Sequence, residues 1–231
     1  MRFPSTRGQG CPRPFLHGTF QQPHRLFIAI SLPEEIKARI EKAQTELRRA
    51  LPEECVRWTK REQFHLTLRF MGNVSVSGME PLILAVQRAC HAFPVLRLRA
   101  ERIGAFPSVK SPRVIWAGVD DREGFLPKLQ PAVDAAVQEF TAEKADGDFT
   151  GHVTLGRARG LKRPQAGTFA TLAAGMAERD FGEWIADRVE IIRSELSPGG
   201  ARYTTLAAVP LNGGAALGNV RRQASHAGFD E

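Results

Sequence analysis

Two stretches of this chain carry the same four-residue pattern. Residues 65–68 read His-Leu-Thr-Leu and residues 152–155 read His-Val-Thr-Leu. An imidazole titrates near neutral pH, so one copy can take a proton while the other gives one. Threonine hydroxyls can donate hydrogen bonds to the non-bridging oxygens of a phosphate. Together, His65, His152, Thr67 and Thr154 would serve in-line attack on a phosphate ester without a metal ion. Arg157 lies two residues beyond Leu155, and its planar guanidinium suits phosphate oxygens. By strand alternation it shares the parity of Leu155, so only a strand end or bulge brings it to the histidine side.

A single His-Leu-Thr-Leu is most often a strand with a half-buried, hydrogen-bonded histidine. The duplication changes that reading. A shuffled chain with the same six His and twelve Thr holds about 0.3 His-x-Thr pairs, before apolar neighbours are required. Other chemistries lack their signatures. The sequence has no G-x-S-x-G elbow, no Walker phosphate loop and no H-E-x-x-H helix, and no metal or cofactor is expected.

The pattern needs strands, because only there do His and Thr at i and i+2 share one face while the Leu and Val residues fill a core. The surrounding sequence supplies them. Strand character is found at 25–31, 64–71, 95–103, 113–119, 151–157, 188–196 and 202–209. Ile36, Ile40, Ala43, Leu47 and Leu51 mark an amphipathic helix behind Pro33. Further helices are expected over 78–93, 126–140 and 165–178. Gly72-Asn73 ends the second strand, Asp146-Gly147-Asp148 ends the link after the third helix, and Ser197-Pro198-Gly199-Gly200 turns the last hairpin. Strands and helices interleave without strict βαβ regularity, which favours an α+β fold. Two similar lobes related by a pseudo-twofold would set the polar strand faces opposite each other across a cleft.

With 231 residues, 42% hydrophobic and 25% charged, the chain has an ordinary globular composition. No apolar run approaches the ~20 residues of a membrane-spanning helix. A net charge of +7 favours anionic partners, nucleic acid first. Three cysteines without C-x-x-C spacing argue against a disulfide framework or zinc site, so a reducing, cytoplasmic setting is expected. The folded body is expected over residues 25–211, between a flexible basic extension at 1–24 and a flexible tail at 212–231. Residues 1–24 lack the apolar core of a secretory signal. Tyr203, the single tyrosine, either stacks on a base or packs in the core, and Trp58 is a weaker candidate to line the cleft. Phe27 and Trp116 read as core. Arg69 and Arg159 either add positive potential beside the phosphate or are solvated charges.

The paired strands resemble the 2H phosphoesterase superfamily, and the order of segments is similar to its RNA 2′,3′-cyclic phosphodiesterase branch, the LigT type. The resemblance rests on residues 25–30 (RLFIAI), 64–68 (FHLTL) with Phe70-Met71-Gly72, 113–116 (RVIW), 152–157, and Arg202-Tyr203. It implies two α+β lobes, each an antiparallel sheet with outer helices. It further implies hydrolysis of a terminal 2′,3′-cyclic phosphate of RNA to a 2′-phosphate; the chain is expected to be a monomer that acts on such RNA ends or on cyclic nucleotides. One histidine would activate water and the other protonate the 3′-oxygen. Arg157 matches the family's arginine after the second motif. Gly151 departs from the pattern, which has Pro before the second His. Alternatives are another activity of the superfamily, such as 2′,5′ joining of RNA ends, or a basic RNA-binding module that turns nothing over.

Overall fold

The structure is a computed structural model that describes residues 22–144, 147–197 and 200–212. The expected terminal extensions lie almost wholly outside the described residues, as do Asp146, Pro198 and Gly199 of the expected turns. In chain order the described elements are β1 (His24–Ser31), α1 (Glu34–Ala50), β2 (Val56–Trp58), β3 (His65–Val74), α2 (Met79–Cys90), β4 (Leu96–Ser108), β5 (Ser111–Asp121), α3 (Leu126–Val137), β6 (His152–Ala158), α4 (Arg163–Gly175), β7 (Asp180–Ala186), β8 (Arg188–Ser197) and β9 (Gly200–Pro210). Among the described residues, no helix is long and apolar enough to cross a membrane.

Helix α1 forms where its stripe predicts it. Ile36, Ile40, Ala43 and Leu47 are buried, Glu34 and Glu35 sit in the first turn, and Arg48 and Arg49 in the last, each charge complementing the helix dipole. Strands β2 and β7 have no counterpart in the sequence reading. In β7, Phe181, Trp184 and Ala186 are buried, but Gly182 and the exposed Ile185 blur the alternation. The hairpin β4–β5 is longer than the spacing of Pro107 and Pro112 suggests. Those two prolines pair with each other near its tip, beside a register shift, where a missing N–H costs no ladder bond.

The fold is α+β, with antiparallel strands and helices outside the sheet. Where two facing lobes were expected, the described strands form one continuous sheet in the order β7-β4-β5-β6-β3-β1-β8-β9, with β2 on the edge of β6. The two motif strands are its centre. They meet at a single pair, Leu66 with Val153, both fully buried. From that seam the order reads outward alike on both sides, β3-β1-β8-β9 and β6-β5-β4-β7. The helices also cross over: α1 follows β1 but packs on β7 and α4, while α3 follows β5 but packs on β3 and α2. Their apolar faces and one face of the sheet build one main core. The other face carries a small cluster of Phe27, Ala29 and Ile192, with Tyr203 packed against it.

Candidate active site

The seam sets the two motifs against each other. With Leu66 opposite Val153, the antiparallel register runs His65 toward Thr154 and Thr67 toward His152. Leu66, Leu68, Val153 and Leu155 are buried in the core, which leaves both histidines and both threonines on the opposite face, each partly exposed. Strand alternation alone accounts for this placement.

Each imidazole is held in the same way. Nδ1 of His65 lies 2.7 Å from the carbonyl oxygen of Gln63, and Nδ1 of His152 lies 2.8 Å from that of Thr150. A carbonyl only accepts, so Nδ1 donates in both rings and proton exchange falls to Nε2. Each ring also has an aromatic wall. His65 sits 4.6 Å from the ring of Phe27 and 5.4 Å, edge-on, from Tyr203. His152 sits 5.0 Å, edge-on, from Phe106 and 6.5 Å from Trp116. Burial pushes the His65 imidazole down to about 4; the charges of His152 and Lys37 act in the same direction, and the bond to Gln63 opposes them. His65 is therefore neutral at pH 7. Gln63 also reaches the first residues of β9, donating from Nε2 to the carbonyl of Ala201 at 2.5 Å.

Arg157 stands on the same face as the histidines, by way of a bulge. Trp116 pairs with Thr154 and Ile115 with Gly156, so Leu155 is an extra residue in β6. Leu155 and Gly156 both turn to the core, and Arg157 emerges exposed on the other side. The bulge is pinned from outside. The Leu155 carbonyl accepts the backbone N–H of Thr59 at 2.8 Å and Nε2 of the buried Gln44 at 2.8 Å, and Gln44 Nε2 also donates to the Thr59 carbonyl at 2.7 Å.

Of the remaining candidates, Tyr203 joins the site as a wall of His65. Its phenol pKa is raised by burial, against the pull of Arg157, Arg25 and Arg57. Trp58 does not line this face. It pairs with Gly156, its ring approaches the spot where a Gly156 side chain would stand, and it packs against the main core. Arg69 is no phosphate neighbour either: it is buried on the core side, 2.9 Å from Asp134 and 2.6 Å from the Glu143 carbonyl. Phe27 and Trp116, read as core, belong to the histidine walls. Their strands are apolar on both faces, so alternation of polarity carries no sign of them. A count by two from the exposed Ser31 reaches Phe27, and one from the exposed Asp120 reaches Trp116.

Two His-x-Thr strands thus meet at one seam, with matched imidazole tethers and an arginine on the same face of the sheet. The LigT like Phosphoesterase family matches residues 30–116. An RNA 2′,3′-cyclic phosphodiesterase of Thermus thermophilus is 32% identical over 195 residues, 82% of this chain and 91% of that protein. One of Archaeoglobus fulgidus is 31% identical over 183 residues, 79% of this chain and 97% of that protein. Among solved structures, TT0787 of Thermus thermophilus superposes with a TM-score of 0.66 at 30% identity, over 82% of this chain and 99% of that one. Escherichia coli LigT complexed with 3′-AMP gives a TM-score of 0.65 at 25% identity, over 82% and 99%. The chain belongs to the LigT-like phosphoesterase family.

Proposed function

We propose that the protein hydrolyses terminal 2′,3′-cyclic phosphates of RNA to 2′-phosphomonoesters, using His65 and His152 as a general acid/base pair. The observation that carries this reading is the matched tethering of the two imidazoles, which leaves Nε2 of each as its proton-exchanging atom on one face of the sheet. Relatives of similar length named for this activity, and a structural neighbour complexed with 3′-AMP, support it.

In the proposed step, water attacks phosphorus and the P–O bond to the 3′-oxygen breaks. Nε2 of His65, neutral in the free protein, takes the water proton. Nε2–H of His152 gives a proton to the departing 3′-oxygen. The phosphate stays on the 2′-oxygen, and the protons on the two rings are exchanged relative to the start. Thr67 and Thr154 donate to the non-bridging oxygens, and Arg157 meets the charge that grows there in the transition state. These side chains fill every role the reaction needs, so no metal is required.

The test is to incubate the protein with a short RNA ending in a 2′,3′-cyclic phosphate, with and without EDTA, and identify the product by phosphorus NMR. A 2′-phosphate formed at the same rate in both samples is expected. A 3′-phosphate product, or activity lost on chelation and restored by Mg²⁺ or Mn²⁺, contradicts the mechanism.

A further inference from the structure

Arg57 and Arg157 are direct cross-strand partners in β2 and β6. Like charges set opposite each other on a sheet repel, and among the described residues neither has a carboxylate partner. A third guanidinium with no carboxylate partner among the described residues comes from β1. Leu26, Ile28 and Ile30 of that strand point into the main core, so Arg25 has the parity of Phe27 and Ala29, on the histidine side. Tyr203 ties the three together. Its ring packs edge-on to Phe27 and to His65, and its hydroxyl feels the charge of Arg25, Arg57 and Arg157. All three arginines are exposed, so their charge faces the solvent in front of the site.

A cyclic phosphate is a diester with one negative charge, and Arg157 alone can match it. Two further cations at the same mouth exceed that need. Their repulsion is relieved by another anion held close to the first, and in an RNA strand that anion is the next phosphate along the chain. We propose that Arg25 and Arg57 form a second phosphate site, which holds the internucleotide phosphate on the 5′ side of the terminal nucleotide while Arg157 serves the reacting one. The inference rests on the proposed function and narrows its substrate to RNA chain ends over free cyclic mononucleotides.

The experiment compares the affinities of adenosine 2′-phosphate and adenosine 2′,5′-bisphosphate by isothermal titration calorimetry, in the wild-type chain and in an Arg25→Ala/Arg57→Ala variant. The 5′-phosphate of the second ligand stands for the internucleotide phosphate. The bisphosphate is expected to bind about tenfold tighter or more, the worth of one charge-assisted hydrogen bond. In the double variant that ratio falls to near one, while affinity for the monophosphate drops by much less. Arg57→Gln, which keeps a polar side chain on β2, replaces the double variant if the latter does not fold, and must lower the ratio by itself. Equal affinities in the wild type, or a ratio that survives the substitutions, overturns the second site. Turnover of a cyclic-ended RNA by the wild type separates the two ideas. Turnover with a ratio of one sinks the second site alone, and no turnover sinks the functional reading whatever the ratio.

Discussion

Leu68 and Leu155 are the same structural residue in the two halves of the sheet. Each ends its His-x-Thr-Leu motif, and each is the extra residue of a bulge: Leu68 against Ile28 and Ala29, Leu155 against Ile115 and Trp116. The next residue, Arg69 or Gly156, stays on the core side, and the one after it, Phe70 or Arg157, returns to the histidine face. The two halves thus put an exposed ring and an exposed guanidinium in equivalent places.

Arg157 owes its position to the β6 bulge, and Gln44 pins that bulge from α1. Arg157→Ala is expected to lower kcat/KM by about tenfold to a thousandfold, and Arg157→Lys to recover only part, because an ammonium cannot grip two oxygens in one plane. Gln44→Leu leaves the Thr59 carbonyl without the Nε2 that reaches it, and is expected to cost about 1–3 kcal/mol of stability. Its effect on kcat/KM should not add to that of Arg157→Ala, since both act at one position. Strict additivity in a double-mutant cycle would show that Gln44 does not position Arg157.

The seam between the halves depends on Leu66 and Val153. Truncation of a fully buried leucine costs about 2–5 kcal/mol, so Leu66→Ala should lower the urea midpoint accordingly. Activity should fall further than stability explains under conditions where the variant is still fully folded, because the register between the two motifs loosens. A variant with normal kcat at ambient temperature would mean that the seam is not what aligns the histidines.

His65 gives the protein a signature in acid. Its folded pKa, about 4, lies below the unfolded value of 6.5. Between those values the unfolded chain binds a proton that the folded chain refuses, so stability falls as pH drops through this window and is untouched above it. Comparison of urea unfolding at pH 7 and pH 5 should show a loss on the order of 1–2 kcal/mol that is missing in His65→Asn. The acid limb of kcat/KM, which reports the free enzyme, should likewise lie well below pH 6.5. An acid limb at pH 6.5 or above would remove His65 from the role of proton acceptor.

The polar faces of β3 and β6 are legible in the sequence because each motif alternates with core residues. The helix of Ile36, Ile40, Ala43 and Leu47 is legible for the corresponding reason at helical spacing. Legibility ends where both faces of a strand are apolar. Phe27 and Ala29 look like Leu26 and Ile28 until the partner strand is known, and Trp116 looks like Ile115. The bulge at Leu155 is equally silent, since it is set by how β6 pairs with β5 and by Gln44, a residue 111 positions away. The single sheet, in place of two facing ones, follows from one long-range pair that no local pattern encodes.

Gly104 lies opposite Trp116, and a Cβ there would collide with the indole ring. Gly104→Ala must therefore move Trp116, one of the walls of His152. The expected result is a change in tryptophan fluorescence together with a lower kcat, while Gly167→Ala, in the open on α4, changes neither. Unaltered kcat alongside a shifted indole would separate this wall from the chemistry.

The proposed mechanism has His65 and His152 act in one step. Its most direct test is single-turnover hydrolysis of a cyclic-ended RNA by His65→Ala, His152→Ala and the double variant. Each single substitution should slow the chemical step by at least the ~10²–10⁴-fold expected of a lost acid or base, and the double variant should be little slower than either. Near wild-type turnover by either single variant would contradict the two-histidine mechanism.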